Sequence, residues 1–302
     1  MRRVSLLVAL AVLASGARAE DKKKDPNQIG NRDVGKGINF YSLEKEIALG
    51  RQLAQEVQRQ AKLNTDPIIT EYVNRVGQNL VRNSDAKVPF TFQVLEAEDL
   101  NAFALPGGYI FVNTGLLVMA EEEDEFAGAV AHEIAHVAAR HMTRQATKGQ
   151  IGNLASIPLS VVLGGWAGVA ARQGAGMVIP MTFLSFSRHD ESEADYLGLQ
   201  YTYAAGYDPN GAINIFERLQ ALSRRQPGRI SKLFSTHPMD EQRIRNAQKE
   251  IQEILPARET YVVNTSEYRD VRWRLLKMQS ARKPAPDDNR PRLIKPLARH
   301  ED

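Results

Sequence analysis

The chain has 302 residues, 39 Lys and Arg against 36 Asp and Glu, a formal net charge of +3 and 43% hydrophobic content, the profile of an ordinary globule long enough to bury a core. Six His and no Cys exclude disulfides, thiolate metal sites and a cysteine nucleophile. The basic residues are scattered apart from Lys22 to Lys24 and the carboxy-terminal tail, so nothing favours nucleic acid as a partner.

At the amino terminus Arg2 and Arg3 precede an apolar run from Val4 to Leu13 and then Ala17-Arg18-Ala19. That order of charged, apolar and small residues predicts a cleavable signal peptide over residues 1–19 and export to the periplasm. The apolar run is short for a spanning helix of about 20 residues. Residues 20–40 are polar with little apolar periodicity and read as a flexible leader.

Ser42 then caps a stripe of Leu43, Ile47, Leu49, Leu53 and Val57, which predicts an amphipathic helix. Asp66-Pro67 opens a second, with Ile69, Val73, Val76 and Leu80 inward. Phe90 to Leu95 and Tyr109 to Val112 read as strands separated by the Pro106-Gly107-Gly108 break, and Ala102 to Leu105 with Tyr109 to Val112 form either an edge strand for an extended peptide or ordinary core strands. Helical periodicity returns from about Glu122 to Arg144.

Residues 149–171 carry no charge, and 173–187 continue with Gly174, Gly176 and Pro180. The length would cross a bilayer, but Pro158, Gly164, Gly165 and Gly168 break it. The expectation for 149–186 is a segment that covers a cleft or touches a membrane surface. Further helices are expected from Ser187 to Ala205, after Asp208-Pro209, from Pro238 and over Ser266 to Met278, with a short strand at Thr260 to Val263.

The chemistry lies in His132-Glu133-Ile134-Ala135-His136. Four residues advance a helix by about 400°, so the two imidazoles stack on one face as two ligands of a single zinc ion, while Glu133 stands one step round as general base. A third ligand is required. A metzincin would need Gly at position 139 and His at 142, where this chain has Ala139 and Met142. His141 lies nine residues past His132, about 180° round a continuous helix, and reads as a packing or surface residue. Downstream, Glu191 and Asp195 share a helix face, with Glu193 roughly opposite. Glu191 is free to complete the zinc site, and Asp195 to accept the second ring N–H of a ligand His. Arg188, three residues before Glu191, is a candidate either to hydrogen-bond a carboxylate of the site or to form a structural ion pair.

Taken with Ser187-Arg188-x-x-Glu191-x-x-Ala194-Asp195, Ala205-Gly206-Tyr207-Asp208-Pro209 and Ser235-Thr236-His237-Pro238, the sequence resembles the family that includes the bacterial BepA and HtpX proteases, the mitochondrial protease Oma and the CAAX prenyl proteases. The resemblance runs from about Ser42 to Leu255. It implies an α+β, predominantly helical, zincin-like metallopeptidase of gluzincin type with a small β-sheet beside the metal helix, one Zn2+ per chain, and ligands His132, His136 and Glu191. It also favours a role for His237 at the metal, either stabilising an oxyanion or filling the fourth ligand position in a latent state. The chain lacks the transmembrane pairs of HtpX-like members and the helical-repeat domain of BepA-like ones.

These readings divide the chain into residues 1–19, a leader at 20–40, a metallopeptidase domain at 41–256, an extension at 257–280 and a disordered tail at 281–302. The expected function is an exported endopeptidase acting on unfolded or misfolded envelope polypeptides. The competing class is a chaperone-like binder of such chains with a blocked zinc.

Overall fold

The computed structural model describes residues 25–153, 186–225, 237 and 240–282. The expected signal peptide, most of the charge-free segment and the tail from 283 onward lie outside the described residues.

Two amphipathic helices open the fold, α1 (Leu43–Gln60) and α2 (Pro67–Arg82). Each begins where the sequence places its cap. Ser42 Oγ accepts the Lys45 N–H at 3.3 Å, and Asp66 accepts the Ile68 N–H at 3.1 Å with Pro67 in the first helical position, which satisfies amides that have no partner inside the helix. Ile69, Tyr72, Val73, Val76 and Leu80 of α2 are buried.

The strands β1 (Thr91–Leu95), β2 (Ala102–Leu105) and β3 (Tyr109–Asn113) form a sheet in the order β1-β3-β2. The β1 strand runs parallel to β3, whereas β2 is antiparallel to it, with Phe103 opposite Phe111. Gly107 and Gly108 make the turn between β2 and β3 at φ of +72° and +94°, a region that side chains with a Cβ rarely occupy. Of the two segments expected along the cleft edge, Ala102–Leu105 is the edge strand β2, whereas Tyr109–Asn113 is the central strand β3.

After the short helix α3 (Thr114–Met119), α4 (Glu123–Ala138) carries the His-Glu motif through the centre of the molecule. Every one of its residues except Ala129 is buried. The expected single helix to Arg144 is broken: α4 ends at Ala138, Arg140 adopts a φ of 58°, and α5 (His141–Asn153) departs in a new direction.

Among the described residues the remaining helices are α6 (Arg188–Ala204), α7 (Asn210–Arg225), α8 (Glu241–Glu253) and α9 (Ser266–Arg282). Helix α6 lies close against α4 because Gly198 faces it; a Cβ there would stand 3.1 Å from the His132 Cα. The α8 helix starts at Glu241 under an Asp240 cap, whose carboxylate accepts the Arg243 N–H at 2.9 Å; Pro238, expected to open it, lies outside the described residues. The strand expected at Thr260 to Val263 is a single bridge between Tyr207 and Val262.

Two domain expectations change. The stretch from Asp25 to Phe40 is tied down: Asp85 accepts the Gly30 N–H at 2.8 Å and pairs with Arg32 at 2.6 Å, and the Phe40 N–H donates to Thr147 at 3.0 Å. These partners lie 53 or more residues away, which composition does not register. The extension beyond residue 257 belongs to the main core, where Tyr268, Val271 and Leu275 of α9 are buried beside Tyr72 and Phe126.

Candidate metal centre

The site forms where α4, α6 and the residue just before α8 meet. His132 and His136, one turn apart, bring their Nε2 atoms to 3.0 Å. Glu191, in the first turn of α6, presents Oε2 at 3.4 Å from His132 Nε2 and Oε1 at 3.5 Å from His136 Nε2. His237 Nδ1 stands 2.9 Å from Glu191 Oε1 and 3.3 Å from His132 Nε2. All four side chains are buried, and one ligand atom from each lies within 4.8 Å of every other.

This donor set suits a cation. Three imidazole nitrogens and a carboxylate oxygen offer lone pairs to a shared point, and bond lengths of about 2.0–2.1 Å to zinc give a tetrahedron with edges of roughly 3.3 Å. The observed separations bracket that value.

Around the cluster, Asp195 Oδ1 is 3.0 Å from His132 Nδ1. Arg243 of α8 grips two acids at once, with Nε donating to Asp195 at 2.6 Å and Nη1 lying 2.8 Å from Glu191 Oε2. On the other histidine, His141 Nδ1 lies 2.9 Å from His136 Nδ1, and Phe186 stacks on the His136 ring at 4.0 Å between centroids. Glu133 accepts the Ala104 N–H of β2 through Oε2 at 2.9 Å, while its Oε1 is 3.4 Å from His237 Nε2.

The charges are strongly coupled. Burial works against the charged form of His132, yet its contacts with Asp195 and Glu191 prevail and raise its pKa to about 10. His136 is held well below the usual histidine range, by burial first and then by the neighbouring His132 charge. Burial raises Glu133, opposed by His237 and His132. Glu191 and Asp195 move the other way: burial disfavours their ionised forms, but His237 and His132 hold Glu191 low, and Arg243 holds Asp195 low. A buried acid keeps its charge only beside such partners.

The geometry thus brings together His132, Glu133, His136, Glu191, Asp195 and His237. It does not bring Arg188 to the cluster: the side chain is 89% exposed and 3.7 Å from Asp240, the ion-pair alternative, because the first turn of α6 points Arg188 outward. Arg243 takes the role instead. Its signal was present in the sequence, since Arg243, Ala247 and Glu250 recur at the spacing of one buried helix face. His141 is buried, the packing alternative, and it stands beside His136 because the chain turns at Arg140 and the 180° expected of a continuous helix does not apply.

The signature of Peptidase family M48 matches residues 67–251, a span that takes in every residue of the cluster. The chain belongs to peptidase family M48. Among M48-like relatives, it is 31% identical over 234 residues to the beta-barrel assembly-enhancing protease of Escherichia coli strain K12, covering 75% of this chain and 47% of that protein. Identity to the protein of the same name from Yersinia pestis is 29% over 274 residues, 88% of this chain and 55% of that one. The mitochondrial metalloendopeptidase OMA1 of Schizosaccharomyces pombe is 35% identical over 233 residues, 74% of this chain and 66% of that protein. The chain spans about half the length of the beta-barrel assembly-enhancing proteases it matches. The α+β fold and the metallopeptidase class expected from sequence agree with this membership. Among the described residues no helix is long and apolar enough to cross a membrane.

Proposed function

We propose that this M48 member is a zinc endopeptidase in which His132, His136 and Glu191 hold the metal and Glu133 is the general base. The observation that carries the reading is the convergence of four buried N and O donors beside a glutamate of raised pKa. When bound, zinc supplies a Lewis acid that polarises the scissile carbonyl and acidifies water.

The chain's own groups supply the rest. Asp195 fixes the His132 ring through Nδ1, and Arg243 fixes Asp195 and Glu191 together. Glu133 is steadied by the Ala104 amide at Oε2, which leaves Oε1 to take a proton from the attacking water and pass it to the leaving amine. Among the described residues β2 pairs only with β3, so its outer side faces Glu133 and offers backbone groups to an extended substrate. Ala102, Leu116, Phe216 and Leu219 line a recess beside Glu133 and His237 that suits an apolar side chain next to the scissile bond. Such recognition favours unfolded chains, here misfolded or unassembled envelope proteins met after export to the periplasm.

His237 Nδ1 lies among the donor atoms and its other nitrogen faces Glu133, which supports a latent state in which His237 would help hold a bound metal and would give way to substrate. Casein degradation tests the function: cleavage that stops with chelator and returns with zinc is expected, and cleavage indifferent to chelator contradicts it. For His237, His237→Ala is expected to raise basal cleavage while weakening zinc retention; lowered cleavage with zinc fully retained would assign it to the oxyanion instead.

A further inference from the structure

His132 and His136 are supported in different ways. Behind His132 stands a carboxylate, Asp195. Behind His136 stands another imidazole, His141, fully buried, with Nδ1 at 2.9 Å from His136 Nδ1 and Nε2 at 2.9 Å from Glu193 Oε2. Arg144 Nη1 lies 3.2 Å from the same Glu193 oxygen.

The backbone is bent to bring His141 there. Arg140 is the one described residue other than glycine with a positive φ, at 58°. Its side chain is fastened at both ends of the guanidinium, with Nε donating to Glu46 at 2.8 Å and Nη2 donating to the Tyr41 carbonyl at 2.5 Å. A left-handed residue held this way follows the end of α4 at Ala138 and starts α5 with His141 facing back.

We propose that His141 is a positioning residue for the metal ligand His136, the first link of a relay His136, His141, Glu193, Arg144. The inference rests on the reading of His132, His136 and Glu191 as ligands. His136 turns Nε2 toward Glu191 and His132, so as a ligand it carries its proton on Nδ1, where a buried N–H requires an acceptor. His141 Nδ1 accepts that hydrogen bond. Its own proton then sits on Nε2 and is donated to Glu193, whose carboxylate is neutralised by Arg144. The tautomer and plane of His136 are thereby fixed from outside the cluster.

His141, Asp190 and Glu193 also lie close enough to suggest a second cation. The partners argue against it. Both nitrogens of His141 are engaged, Asp190 receives the Ser187 hydroxyl at 2.6 Å and is 4.0 Å from His141, and Arg144 already supplies the positive charge.

The test measures zinc affinity of the full chain by competition with a chelating indicator, for wild type, His141→Leu and His141→Asn, beside thermal unfolding of the metal-stripped proteins. The Asn amide oxygen falls near the place of the imidazole Nδ1 and retains the acceptor. His141→Leu is expected to bind zinc about 10- to 100-fold more weakly, and His141→Asn to recover most of that loss. Should His141→Leu fail to fold, 15N spectra of the zinc-loaded wild type decide: His136 protonated at Nδ1 and His141 at Nε2 support the relay, and the opposite tautomer of His141 overturns it. Equal zinc affinity in all three proteins overturns this inference alone, as do two zinc ions per chain. A wild type that binds no zinc removes the ligand reading and this one with it.

Discussion

Two interiors lie side by side in this molecule. One is apolar, where α2, the sheet, α4 and α9 meet in Ile69, Tyr72, Leu80, Ile110, Phe126 and Tyr268. The other lies where α4 and α6 face α8, and it is filled with ionisable groups: His132, His136, Glu191, Asp195, Arg243 and Glu250 are all buried. Removing a methyl group from the first leaves a gap whose cost depends on how well the site collapses. Removing one charge from the second strands its partners without water, so each of these groups depends on the others. The first interior builds the fold, and the second holds a reactive arrangement that the fold stabilises.

The sharpest separation of the two is expected at Glu133. Glu133→Gln should lower peptide cleavage by a factor on the order of 10²–10⁴, with zinc content and the unfolding midpoint kept, as read by turnover assay, metal analysis and calorimetry. Next comes Arg243→Met, which keeps the volume but removes the guanidinium shared by Asp195 and Glu191 and leaves them only their histidine partners; denaturant unfolding of the metal-stripped protein should show a loss of about 3–5 kcal/mol, together with weakened zinc binding. Leu80→Ala in the apolar interior should cost about 2–5 kcal/mol and leave zinc affinity alone. Equal effects of these two on zinc would erase the distinction.

A smaller effect concerns pH. Burial pushes the Glu250 carboxyl up to about 9 from 4.5, with Asp195 of α6 adding to the rise and the Gln200 hydrogen bond and Arg32 opposing it. Its folded pKa is raised, so its favourable contribution is complete below about 4.5 and is lost as pH climbs toward 9. Glu250→Gln should therefore gain stability over wild type progressively across that window, and a constant difference from pH 5 to 9 would refute the assignment. Least of all, Trp273→Ala on the exposed side of α9, where the residue is 58% exposed, should change stability by no more than about 0.5 kcal/mol.

The apolar interior was legible before any coordinates. Its helices announce themselves through a stripe at helical spacing and a cap, as at Ser42 and Asp66, because both signals are local. The meeting of His132, His136 and Glu191 was legible for a different reason: two histidines four apart and a carboxylate four before Asp195 restrict the chemistry strongly. Sequence could not decide between the two readings of Arg188, because nearness to Glu191 says nothing about which way the first turn of α6 points, while Arg243, 52 positions away from Glu191, arrives through a separate helix. His141 was hidden by the turn at Arg140, since arginine carries no sequence mark of a left-handed backbone and the periodicity runs on to Arg144. Arg32 was hidden by distance, as its partner Asp85 lies on the far side of α2 in the chain.

Zinc titration of the wild type against Glu191→Ala addresses the convergence most directly. One tightly bound zinc per wild-type chain, and loss of that binding when the carboxylate on α6 is removed, is the predicted result. A Glu191→Ala protein that takes up one zinc with undiminished affinity would contradict it, because the metal would then be held without α6.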